Sequence, residues 1–271
     1  MNLSLAYFAG VLRDGSIYFS TSKGRKYPRV AIYSNNKDFL TETIARILKE
    51  EFSAKFNITS FRNRNFRIET SDKKVLDFVS RRLNFPENRN QLYWKTPHEI
   101  TSSNKEIQKY YIKGFFDAEG TVIVSDKVYN CCIRIYQSWN RYYYCPPLED
   151  IKNMLKSFDV ESSLVYANIP HGKKNKFPCY ALILRRQNII KFYELINSFH
   201  PDKSRKLLAL YCFLKNRLQI AKMDGSKLAT ETPDYESNSV ERRSVWAEAS
   251  SQEDVDRIEL KILLVVASKR G

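Results

Sequence analysis

The sequence predicts an α+β protein made of two copies of one unit, each running helix, two strands, helix, two strands, helix. Three observations predict it. The segments LAYFAGVLRDGSIYFS (residues 5–20) and YYIKGFFDAEGTVIVS (110–125) share a layout: an apolar run with small residues inside it, an acid then glycine, a small hydroxyl residue, and alternating apolar residues. Further strand-like and helix-like stretches recur in the same order behind each segment. A chain of 271 residues with 43% hydrophobic content has enough apolar material for a sizeable core.

The elements follow in order. In the first copy an apolar helical run carries Ala6 and Gly10 at i, i+4 spacing, and Asp14-Gly15-Ser16 turns it into the alternation SIYFS. PRVAIYS followed by NNKDFLTETIARILKEEF reads as a strand and an amphipathic helix. FRNRNFR reads as a strand whose alternation sets Arg62, Arg64 and, with one irregularity, Arg67 on one face. FRIETSDKKVLDFVSRRLNFP is then strand, turn, helix and proline stop. Pro86 to Lys105 mixes Pro, Asn, Ser and Thr around Leu92-Tyr93-Trp94, a short helix plus linker whose aromatic pair is expected to pack. The second copy repeats this plan: the helix of YYIKGFFDAEG, CIRIYQSWN, LEDIKNMLKSF, a hairpin tip at HGKKNK (171–176) and YALILRRQNIIKFYELINSFHP. The boundaries predicted are 1–100 and 101–222 for the repeats. Residues 223–271 form an acidic, Ser-rich tail with disorder-like composition and a terminal helical run.

With 45 Lys+Arg against 30 Asp+Glu, the chain carries +15 and a pI near 9.5, which calls for a polyanionic partner. The tail holds seven Lys+Arg against ten Asp+Glu, so the basic surface belongs to the first 222 residues. No apolar run approaches the roughly 20 residues of a membrane span, and MNLSLAYFAGVLRDG has no basic n-region or cleavage site, so a soluble, cytoplasmic protein is expected. Five cysteines without a CxxC pair indicate neither a disulfide framework nor a zinc site, and the three histidines lack metal-ligand spacing.

Chemistry concentrates on the two acids, Asp14 and Glu119. Gly114 and Ala118 repeat the small face of Ala6 and Gly10, and packing the two faces brings both helix ends into one small volume. Two carboxylates there, each opposed by its helix dipole and by the other, call for a hard divalent cation such as Mg²⁺. A single acid-glycine pair is ordinary turn chemistry. A matched pair on a basic chain points to a metal-dependent nuclease.

At these residues the sequence resembles the LAGLIDADG homing endonuclease family in its single-chain, two-repeat form. YIKGFFDAEGT matches the family motif closely, and AYFAGVLRDGS more loosely. Aligned backwards from the acids, Ala9 falls at the position of Gly114, Leu12 at that of Asp117 and Arg13 at that of Ala118. The resemblance covers residues 1–222. It implies pseudo-twofold αββαββα repeats whose antiparallel sheets form a saddle on double-stranded DNA, and a monomeric, intron-encoded enzyme of archaeal type that cuts both strands of a long asymmetric site. It also implies metal held by Asp14 and Glu119 with the carbonyls of Arg13 and Ala118. Ser34 and Gln137, paired through IYS and IYQ, would order water, while Lys203 and Arg89 would be the basic groups near the last helix of each copy.

Contacts to DNA are expected from Lys23, Arg25, Lys26, Arg29, Arg62, Arg64 and Arg67 in copy one. Arg134, Arg141, Lys173, Lys174, Lys176, Arg185 and Arg186 are their counterparts in copy two. A two-stranded ribbon fits the major groove, where arginine reads guanine, although each contact taken singly falls more often on phosphate. Asp117, two residues before the acid, is expected to hydrogen-bond at the helix end. Two other readings of the basic surface stay open: a maturase that assists its own intron RNA, and a non-cleaving, repressor-like DNA binder.

Overall fold

The structure is a computed structural model that describes residues 1–22, 24–61, 65–87, 91–125, 128–141, 144–168 and 177–223. Lys23, Arg62, Arg64, Arg89, Lys173, Lys174, Lys176 and the tail from residue 224 lie outside the described residues.

Repeat one begins with α1 (Leu3–Val11), capped by the Asn2 side chain accepting from Leu5 N at 2.9 Å, and ends its first helix in a 3₁₀ turn over Leu12–Asp14. Strands β1 (Gly15–Ser22) and β2 (Arg25–Ser34) follow. A π-helical segment (Phe39–Ile44) then leads into α2 (Ala45–Phe52), ahead of β3 (Asn57–Phe61), β4 (Asn65–Thr70) and α3 (Lys73–Asp77). The linker holds α4 (His98–Thr101). Repeat two comprises α5 (Lys105–Glu119), β5 (Gly120–Ile123), β6 (Cys132–Ser138), α6 (Pro146–Lys156), β7 (Ser163–Asn168), β8 (Cys179–Arg185) and α7 (Gln187–Leu195), and α8 (Pro201–Met223) completes the described chain. Asn104 caps α5 as Asn2 caps α1, accepting from Ile107 N at 3.0 Å.

Both sheets are antiparallel with four strands, in the orders β1-β2-β4-β3 and β5-β6-β8-β7. The α+β class with two αββαββα repeats is therefore the observed architecture. Phe8, Phe52 and Phe78 pack with ring centroids 5.4–6.4 Å apart in repeat one, and Phe116 meets Phe192 edge-on at 5.1 Å in repeat two. Each copy buries its own apolar faces.

Two local expectations change. Phe61 pairs with Asn65 across β3 and β4, so FRNRNFR is not one strand, and Arg67 lies on the strand antiparallel to the one before it. Its Arg/Asn alternation mimics a strand period but spans a chain reversal. In the linker, Trp94 is 4% exposed and packs on Phe85, whereas Tyr93 is 58% exposed, so the aromatic pair is split between core and solvent.

The chain divides into two compact units, Met1–Leu208 and Ala209–Gly271. The first holds both repeats. Of the second, the part of α8 beyond residue 208 is described, where Lys215 lies over the Tyr211 ring at 5.1 Å and Arg217 over Phe213 at 5.7 Å. Among the described residues no helix is long and apolar enough to cross a membrane.

Candidate active site

Helices α1 and α5 cross at two glycines. A Cβ on Gly10 would sit 2.3 Å from Tyr111 O and 2.5 Å from Phe115 N; one on Gly114 would sit 2.1 Å from Tyr7 O and 3.0 Å from Val11 N. The contacts are reciprocal: each glycine meets the residue three before and the residue one after its partner. Gly10, not Ala9, is thus the counterpart of Gly114, and counting back from the acids misses this by one residue. Asp14 follows Gly10 by four positions, and Glu119 follows Gly114 by five. The 3₁₀ turn at Leu12–Asp14 makes up the difference, because its rise of about 2.0 Å per residue against about 1.5 Å gives both stretches about the same axial advance. After the acids the copies match again: Gly15 pairs with Ile32 and Gly120 with Ile135.

The two carboxylates consequently end equivalent helices and feel each other. Burial and, after it, the charge of Asp14 push Glu119 up to about 7 against the opposing fields of Lys203 and Arg13. Asp14 opens to solvent at the mouth of a cleft of about 510 Å³. The protein crowded around its carboxylate still raises it to about 7, opposed by Lys203.

Lys203, near the start of α8, donates from Nζ to the carbonyls of Phe116 (3.1 Å), Asp117 (2.7 Å) and Ala118 (3.1 Å). It supplies the cation that α5 lacks in its own last turn. Burial lowers the Lys203 pKa, and Asp117, Glu119 and Asp14 oppose that shift. Asp117 is a structural tie. Its carboxylate accepts from Tyr7 Oη at 2.7 Å, Phe199 N at 2.8 Å and Ser198 Oγ, joining α1, α5 and the turn before α8.

Ser34 lines the same cleft and sits 3.4 Å from His200 Nε2, while Asn36 N donates to its Oγ at 3.1 Å. Gln137 is 6% exposed on the matching register of β6, with Nε2 bonded to Ser138 O at 2.9 Å and no partner for Oε1 among the described atoms. Arg13 packs its side chain between the linker and α5. Its guanidinium is 1% exposed, lies 4.2 Å over Trp94 and 4.9 Å over Phe115, and donates to Trp94 O (2.7 Å) and Tyr111 Oη (3.2 Å). The Ala118 carbonyl accepts from Lys203 and keeps a second lone pair.

Sequence reasoning assigned no chemistry to His200 and did not consider Gln91. The structure places both at the cleft. Burial and the Lys203 charge lower His200 to about 4, and Gln91 Nε2 donates to Gly15 O. The only signal for His200 was its position three residues before Lys203.

Strand register sorts the basic residues. In the first sheet, Ile17, Val30, Ile32 and Ile68 face the core, so Tyr18, Ser20, Arg25, Arg29, Arg67 and Glu69 share the open face. Lys26, opposite Thr21, has the other parity. In the second sheet Arg134 and Arg185 lie on the open face, bonded to Tyr136 Oη (3.3 Å) and Tyr129 O (2.8 Å). Arg141 is exposed after β6, and Arg186 precedes α7 at φ 51°.

Two αββαββα repeats on a basic chain, joined by glycine-paired helices that each end in an acid, define an architecture whose counterparts are found among LAGLIDADG proteins. Residues 106–197 match the family model of the LAGLIDADG-like domain. The homing endonuclease I-ApeI of Aeropyrum pernix is 27% identical over 209 residues, which cover 75% of this chain and 85% of the relative. The crystal structure of I-DmoI in complex with DNA and Mn is 25% identical with a TM-score of 0.50, covering 72% of this chain and 97% of that one. A structure from a study of mesophilic I-DmoI variants shares the fold at 24% identity and a TM-score of 0.51, over 72% and 97% of the two chains. The second repeat thus matches the LAGLIDADG-like domain model, and the chain as a whole is similar in sequence and fold to LAGLIDADG homing endonucleases.

Proposed function

We propose that the chain is a site-specific DNA endonuclease that depends on a divalent metal, Mg²⁺ in the cell, and hydrolyses one phosphodiester in each strand of a long asymmetric target, promoting intron mobility. The observation that carries this reading is the meeting of Asp14 and Glu119 at paired helix ends, each raised to about 7 by burial despite the nearby Lys203 charge. Carboxylates held at that cost suit a hard cation.

The donor set fits one. Among the described residues no group of three or more His, Cys, Asp or Glu side chains gathers. A bound ion would draw on two carboxylates, the Arg13 and Ala118 carbonyls, water and substrate phosphate, a composition typical of Mg²⁺ sites. When bound, the ion supplies charge neutralisation on the phosphodiester and eases ionisation of water. Asp14 and Glu119 would hold it, one acid serving each strand. Lys203, already aimed at the α5 carbonyls, places a positive charge where negative charge develops, and Ser34 and Gln137 present polar atoms beside the helix ends. The open-face arginines of both sheets would bind the duplex, mostly through phosphate. Since one chain carries both repeats, a monomer supplies the whole site.

The relatives support this reading: I-ApeI is a homing endonuclease, and I-DmoI was crystallised with DNA and Mn. The test is cleavage of a plasmid carrying the intronless form of the gene in which the reading frame lies. Linearisation with Mg²⁺ or Mn²⁺, none with chelator, and none by the Asp14→Asn/Glu119→Gln double variant are expected. Intact plasmid under every metal condition, with faster splicing of the intron RNA, would replace this reading with the maturase.

A further inference from the structure

On the open face of the first sheet a buried acid grips two arginines. Glu69 on β4 is 6% exposed, although it faces away from the core. Arg29 Nη1 donates to its Oε1 at 2.6 Å, Arg67 Nε lies 3.0 Å from its Oε2, and Tyr18 Oη also donates to Oε2. Arg29 Nε donates in addition to Ser20 Oγ at 2.9 Å, and the Arg67 guanidinium stands 5.6 Å over the Tyr18 ring. Burial and the Glu69 carboxylate push the Tyr18 hydroxyl up to about 12, so it keeps the proton it donates. Three side chains on three neighbouring strands thus share one anion.

The second sheet has no such centre. Among the described residues its open-face strand positions include Thr121, Arg134, Tyr136, Ala181, Ile183 and Arg185, and none of them or of the others on that face is an acid. An anion on a surface meant for DNA phosphates weakens non-specific binding, so its presence needs a return. Glu69 is too covered by its partners to accept from a base itself. What it does is fix the planes of two guanidiniums, Arg29 through hydrogen bonds from Nη1 to Glu69 and Nε to Ser20, and Arg67 through its ion pair with Glu69 and its stack on Tyr18. A guanidinium held in one pose loses little entropy when it meets the fixed acceptors of a guanine edge, whereas a mobile one serves any phosphate.

We propose that Glu69 is a positioning residue for sequence readout: it locks Arg29 and Arg67 on the open face of repeat one to read guanine edges, so the half-site under repeat one is read more strictly than that under repeat two. The inference rests on the endonuclease reading and specifies how its substrate is chosen.

The test uses the full-length chain and a pool of duplexes with a randomised core, selected for binding in Ca²⁺ and sequenced. Wild type is expected to enrich an asymmetric motif with its firmest guanines in one half. Glu69→Gln should relax preference at one or two of those guanines by about tenfold, leave the other half unchanged, and tighten binding to motif-free duplex at fixed salt. Simple structural damage would weaken all binding together. Arg67→Lys keeps charge and carboxylate but removes the fork, and should relax a guanine in the same half; it decides the matter if circular dichroism shows that Glu69→Gln is unfolded. The same motif at the same strength from the decisive variant, or parallel loss on every duplex, overturns the inference. A wild-type pool with no enriched motif overturns the endonuclease reading and this inference with it.

Discussion

At the scale of single residues, the acids at the helix ends are a cost to the fold. Asp14 and Glu119 have folded-state values near 7, against ordinary values of 3.8 and 4.5. Between about pH 4 and 7 the folded protein therefore holds more protons than the unfolded chain. Stability is fully present below that window and is lost as pH rises through it. His200 slopes the other way: lowered to about 4 from 6.5, its neutral ring contributes stability that is lost as pH falls from about 6.5 toward 4. Comparing variants separates the two. In chelator, Asp14→Asn/Glu119→Gln should melt close to wild type at pH 5 and clearly above it at pH 8. Melting curves that differ equally at both pH values would mean the acids are not raised. Of these residues, the two acids were legible because helix, acid, glycine and strand follow one another twice. The burial of Arg13 was not, since the Trp94 ring and carbonyl that receive it lie 81 residues away in a linker with no regular period.

At the scale of elements, the α1–α5 crossing sets how close the acids come. A Cβ at Gly114 would lie 2.1 Å from the Tyr7 carbonyl oxygen, a backbone atom that cannot rotate away. Gly114→Ala should cost about 1–3 kcal/mol or more and lower cleavage along with stability. Gly24→Ala is the useful comparison: nothing lies within 4 Å of its added Cβ, and only its φ of +74° resists, so about 1 kcal/mol is expected with no effect on chemistry beyond that. Equal destabilisation by both in denaturant titrations would remove the close crossing from the account. The sequence showed that small residues line both helices, but not which glycine meets which. That depended on a 3₁₀ turn absorbing one missing residue, a choice imposed by strand pairing at Gly15 and Gly120. FRNRNFR was misread for a related reason, because polar alternation has the same period whether the chain runs on or doubles back.

At the scale of the molecule, one repeat plan produces two unequal halves. Strand order and helix order were legible, because the same apolar periods recur in both copies and each copy buries its own aromatic cluster. The asymmetry was not legible, since it lies in which side chains the register brings together: an acid between two arginines in one sheet, arginines bonded to a tyrosine hydroxyl and a backbone carbonyl in the other. Function then depends on the halves acting jointly at a single place, where the α1 end and the α5 end meet under Lys203. The most direct measurement is Mn²⁺ titration into metal-stripped full-length protein, for wild type, Asp14→Asn, Glu119→Gln and the double variant. A shared ion predicts that either substitution removes most of the affinity and that the second adds little, a coupling of about 1 kcal/mol or more. Losses that simply add, each acid contributing independently of the other, would contradict it.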